Sequence, residues 1–208
     1  MPDQTQETSV DLLVLHTLRC IGFAALPRVA ETTALSESDA ESELIDLAVA
    51  GLVTRVPGEF GGWGLTDAGR AADAERIAAE LDAAQARAAV TSAFNDFGGL
   101  NVELLDLCTA WQMRTVDGVS TPNDHSDAEY DARVLEQFTE FDQRADAVCT
   151  ELAAALPRFA RYRTRLTDAM TRAKAGSLDY LTDNLDSYHT VWFQLHEDLL
   201  STLGIPRN

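Results

Sequence analysis

Leu47-Ala48-Val49-Ala50-Gly51-Leu52-Val53-Thr54-Arg55, answered after a short glycine-rich stretch by Gly62-Trp63-Gly64-Leu65-Thr66-Asp67-Ala68-Gly69-Arg70, decides how the first third of this chain is read. The first segment ends an apolar helical pattern at Gly51, a residue type that leaves a helix with φ above zero at no steric cost. Val53 to Val56 is then a short β-type run, Pro57 to Gly62 a turn, and Trp63-Gly64-Leu65 a return strand, so the spacing predicts a two-stranded hairpin. Thr66 is placed to cap the next helix.

Working outward, Val10, Leu13, Val14, Leu18 and Ile21 recur at helical spacing behind Ser9 and predict a first helix over about 9–24. Pro27 opens a short second helix that reaches Ala34. Ser36 or Ser38 caps a third, with Ser38 and Glu41 at capping-box spacing and Leu44, Leu47, Ala48 and Leu52 on one face. Downstream, the Ala-rich run from Asp67 to about Phe97 reads as one long helix stopped by Gly98-Gly99. Its seam of Ile77, Leu81, Ala84, Ala88 and Thr91 suits close packing against a second copy or against its own lobe. Further helices are predicted from Asn101, over about 127–156, 158–175 and 184–203, with Asp117 to Ser126 as a loop. The predicted fold is therefore mainly α: residues 1–70 as three helices closed by a hairpin, 71–98 as a long connecting helix, and 99–208 as an all-helical lobe.

The quoted segments, with their Leu65-Thr66-x-x-Gly69-Arg70 return, resemble the winged helix-turn-helix of MarR-like and PadR-like regulators over about residues 9–75. That resemblance implies a transcriptional regulator, most simply a repressor, which binds DNA as a homodimer. It also implies that the third helix enters the major groove through Ser36, Ser38 and Ser42, with Arg55 of the wing and Arg28 of the second helix near phosphates. The alternative reading is a winged helix that serves as a protein-docking module or accessory subunit without binding DNA.

Charge presses on this choice. The 208 residues carry 34 acids against 16 basic residues, a formal net charge of -18, and Lys174 is the single lysine. A chain so acidic is repelled by phosphates as a whole, so DNA contact requires a local basic patch. The first turns of the third helix instead offer Glu37, Asp39, Glu41 and Glu43. With 46% hydrophobic and 24% charged residues the composition is that of a folding chain. No apolar stretch is long enough to span a membrane, and the start lacks a secretory pattern, which leads to the expectation of a cytoplasmic protein with no membrane partner. Cys20, Cys108 and Cys149 are widely spaced and read as buried thiols.

In the second lobe, Trp111, Tyr188, His189, Trp192 and Phe193 offer aromatic walls, and His196 or Asp124 a polar anchor, for a small-molecule effector, with His125 in the same candidate site; the same aromatics at helical spacing also suit plain core. A metal held by these histidines is not expected, because His189 and His196 stand about 10 Å apart along their helix. Arg158, Arg161 and Arg165 belong to the one basic run, suited to an anionic effector or to neutralising the acidic helix over 127–156. No phosphate loop, nucleophile elbow or HExxH pattern is present, so the expectation is a non-enzyme without a cofactor.

Overall fold

The computed structural model describes residues 7–58, 60–116 and 118–206. The described residues are predominantly helical, with two small antiparallel hairpins among them. In the first part, α1 (Val10–Ile21), α2 (Leu26–Thr33) and α3 (Glu37–Val49) precede β1 (Val53–Val56) and β2 (Gly62–Leu65). Val14, Leu15, Leu18, Val29, Leu44, Leu47, Val53 and Trp63 form their shared core. Ser36, not Ser38, caps α3, accepting from the Asp39 N–H at 3.1 Å. At the far end Gly51 takes φ +75°, and the Leu52 N–H closes back on the Leu47 carbonyl at 2.9 Å.

The hairpin pairs Val53 with Leu65 and Val56 with Gly62, and Ala24 adds a bridge to Trp63 on the other edge of β2. Its closing joint is tight. The Leu52 carbonyl accepts the Thr66 N–H at 3.0 Å, the Thr66 hydroxyl caps the Gly69 N–H at 3.0 Å, and a Cβ on Gly69 would lie 1.9 Å from the Leu52 oxygen. Only glycine lets the next helix start this close to the end of the previous loop.

The expected long helix over 71–98 is two helices, α4 (Asp67–Ala83) and α5 (Arg87–Gln112). Gln85 takes φ +52° between them, and the Ala86 N–H bonds to the Leu81 carbonyl at 3.1 Å, the six-to-one closure of a helix end usually built on glycine. Gly98 and Gly99, expected to stop the helix, lie inside α5 instead, where propensity disfavours each by about 1 kcal/mol relative to Ala and tertiary packing overrides it. The segment expected as a loop over 117–126 contains β4 (Val119–Pro122), paired antiparallel with β3 (Met113–Val116); Asp117 lies outside the described residues.

The second core is built from α5, α6 (Ala128–Ala155), a single tight turn over Pro157–Phe159, α7 (Ala160–Lys174), the short α8 (Asp179–Thr182) and α9 (Tyr188–Leu203). Trp192 stacks on Phe97 with ring centres 4.5 Å apart and meets Phe141 edge-on at 5.3 Å. Of the α4 and α5 seam expected to suit a second copy, Ile77 and Leu81 are buried within the chain itself. No helix is long and apolar enough to cross a membrane among the described residues.

Candidate functional site

Two regions concentrate charge. The first is the outer side of α3. Ala40, Leu44 and Leu47 turn inward, leaving Ser38, Ser42, Ile45 and Val49 outward. Glu37, Asp39, Glu41, Glu43 and Asp46 make the helix acidic along its length, with no Lys or Arg in it. Ser36, Ser38 and Ser42 are all exposed, but the Ser36 hydroxyl is engaged in the cap and donates to Asp39 Oδ2 at 2.6 Å. Arg55 is exposed on β1 with its guanidinium over the Trp63 ring, 5.4 Å from the centroid. Between that arginine, Val56, Pro57 and Trp63 lies a cleft of about 110 Å³. Arg28 is the departure from expectation: its guanidinium bonds the Asp186 carboxylate and the Leu185 carbonyl in the loop before α9, so it ties the two parts of the chain together rather than standing free for a phosphate.

The second region is a buried ion network beneath α1. His16 Nδ1 lies 2.9 Å from Asp73 of α4, and Nε2 lies 3.1 Å from Asp198 of α9, all three side chains excluded from water. A neutral imidazole has one N–H and could satisfy only one carboxylate; the doubly protonated ring donates to both. Burial opposes the charged ring, but the Cys20 sulfur, the Asp198 carboxylate and the hydrogen bonds to Asp198 and Asp73 outweigh it and hold its pKa well above the usual histidine range. Burial likewise opposes ionised Asp198, yet Arg158, His16 and Arg161 around it keep its pKa well below the usual carboxylate range.

Arg158 bonds Glu80 through Nε at 2.8 Å, Asp198 through Nη1 and Thr202 through Nη2 at 2.6 Å. Arg161 reaches Thr17 at 2.7 Å and Asp198 Oδ2 at 3.1 Å, and the Tyr162 hydroxyl donates to the same oxygen at 2.9 Å. Arg165 donates to Gln194 at 2.8 Å and sits 3.4 Å from Asp186. The anions that meet the Arg158, Arg161 and Arg165 run are therefore the protein's own carboxylates, on α4, α9 and the loop before it. Arg163, in the same basic run, crosses instead to the acidic α6, at Asp142 and Asp146.

His16, Cys20 and Asp198 also place one nitrogen, one sulfur and one oxygen within 4.8 Å of one another. That donor set suits zinc in kind. The Asp198 Oδ1 atom already accepts from Arg158, His16 and Thr202, so a cation there would displace bonded protons beside two guanidiniums.

The aromatic and polar residues expected to line one ligand pocket fall into two groups. Tyr188 and Trp192 are buried core residues of α9; the Tyr188 hydroxyl donates to Asp142 at 2.9 Å, burial pushing its pKa well above normal, and Trp192 Nε1 donates to Asn101 at 3.2 Å. His196 packs against Phe97 at 5.2 Å, and half-buried His189 has its pKa lowered by burial. Trp111 lies ten residues beyond Asn101 on α5, about 15 Å along its axis. There it meets the His125 ring at 4.7 Å, while His125 Nδ1 pairs with Asp131 at 3.0 Å. Exposed Asp124 accepts from Ser126 and Arg114, the Ser126 bonds foremost in lowering its pKa.

Sequence reasoning missed His16, Asp73 and Asp198. The available signal was an ionisable residue inside the apolar stripe of each of three helices, which requires a buried partner of opposite charge. Compared with known proteins, the chain matches no family model, no curated protein and no solved structure.

Proposed function

We propose that residues 9–75 form a winged helix-turn-helix, and that the chain is a regulatory protein whose α3 face, beside the β1–β2 hairpin, recognises a partner protein with a basic surface. The observation that carries this reading is the exposed outer row of α3, bordered by carboxylates and free of Lys and Arg. A winged helix offers the helix before its wing to the target. Carboxylates in that place repel phosphates and release no counterions from DNA, whereas they attract cationic side chains. The Arg28 contact with Asp186 and the His16 network give the helical lobe a direct hold on α1 and α2, and through them on the placement of α3.

The second reading is a DNA-binding repressor that dimerises and senses an effector through its helical lobe. The wing favours it, since Arg55 stands exposed over Trp63, and Arg19 and Arg70 are exposed in the same unit. Titration of the full chain into labelled duplex DNA at about 50 and 200 mM salt separates the two readings. We expect no saturable binding at either salt. Sequence-selective, salt-sensitive binding that disappears in Arg55→Ala would restore the DNA reading and remove the protein-directed one.

A further inference from the structure

The outer face of α3 narrows the chemistry of its partner, an inference that rests on the protein-directed reading above. Ser38, Ser42, Ile45 and Val49 stand at i, i+4, i+7 and i+11, so they form one row along the helix. Ile45 is 48% and Val49 85% exposed. Asp39 and Asp46 follow one flank of the row and Glu41 the other. The two serines keep one end of the row low enough for another backbone to approach, and the two aliphatic side chains at the other end supply surface that gains by leaving water.

An apolar row with acids on both flanks is complementary to a helix whose apolar stripe is bordered on both sides by Lys or Arg. A second copy of α3 would set like charges against each other, and a duplex would set phosphates against carboxylates. We propose that α3 docks a basic amphipathic helix of a partner protein, about three turns long, with its apolar stripe over Ser42, Ile45 and Val49 and its cations against Asp39, Asp46 and Glu41.

The probe is a labelled Leu/Lys amphipathic peptide of that length, beside a scrambled peptide of identical composition and random-sequence duplex DNA, each titrated by anisotropy against the full chain. The amphipathic peptide should bind at least about tenfold more tightly than the scramble, and Ile45→Ser with Val49→Ser should remove about that advantage without lowering the melting temperature. Glu41→Gln with Asp46→Asn should weaken binding mainly at low salt. As a control, Val102→Ser with Leu105→Ser on the exposed side of α5 should leave binding unchanged. Equal binding of the scramble, indifference to the Ile45 and Val49 changes, or no peptide binding would overturn this inference while leaving the regulatory reading in place. Duplex binding that depends on Arg55 would overturn the reading beneath it.

Discussion

The carboxylates of α3 and those beneath α1 are the same chemical groups used in opposite ways. Asp73, Glu80 and Asp198 are buried, and each meets a cation from another helix or turn: His16, Arg158 or Arg161. The three cations and three carboxylates balance, which is the condition under which ionised groups tolerate removal from water. Glu37, Asp39, Glu41, Glu43 and Asp46 lie outside the core, and none has an ion-pair partner among the described residues. The interior set holds helices together; the outer set, left to solvent, adds little to folding.

The sharpest way to break this comparison is Asp198→Ala. It strips one buried carboxylate from Arg158, Arg161 and His16 together, and should cost about 3–5 kcal/mol in denaturant unfolding. A loss below about 1 kcal/mol would show that the network does not join these helices. Gly69→Ala comes next. Its added methyl meets the Leu52 carbonyl, so the start of α4 must shift, with an expected loss of about 1–3 kcal/mol. Thr66→Ala, which removes the cap of the same helix, should cost about 1 kcal/mol. At the small end, Glu41→Gln and Asp46→Asn should each change stability by less than about 0.5 kcal/mol, as expected for surface positions.

The same contrast has a pH signature. His16 has a folded pKa raised above its ordinary value of 6.5, so its contribution is fully present below that value and is lost as pH rises through the higher folded value. Asp198 has a depressed folded pKa, so its contribution is present above 3.8 and is lost as pH falls through the lower folded value. Thermal melts should therefore show a His16-dependent decline toward alkaline pH that is absent in His16→Gln. An identical alkaline limb in the variant would remove the imidazolium from the account.

The elements that the amino-acid sequence made legible are those fixed by local chemistry. Ser36 and Thr66 cap their helices, Gly51 ends α3, and the glycine-rich turn after Val56 closes a hairpin, because each of these depends on residues a few positions apart. The break at Gln85 escaped because a closure commonly built on glycine is here made by a glutamine held in the left-handed region. Gly98 and Gly99 misled in the other direction, since packing of α5 carries the helix across them. The second hairpin falls where Gly, Pro, Asn and Asp content reads as loop, because its short strands carry no apolar alternation to mark them. The ion network was beyond local reading: His16 and Asp73 are 57 residues apart, and only the folded arrangement brings Arg158 to Glu80 and Asp198. Arg28 shows the same limit, because its Asp186 partner belongs to a distant loop.

The joint at Leu52 sets where this chain can change length. Its carbonyl accepts the Thr66 amide at 3.0 Å, and the Thr66 hydroxyl donates most closely to the adjacent Gly51 carbonyl at 2.8 Å, so the two ends of the ribbon are stitched together at neighbouring peptide groups. Residues added at the tip, between Pro57 and Gly61, lengthen a loop whose ends are already fixed. One residue added between Leu65 and Gly69 would instead turn the whole of α4 by about 100° about its axis and swing Asp73 and Glu80 away from their cations. Length variation in this segment is thus confined to the ribbon's tip.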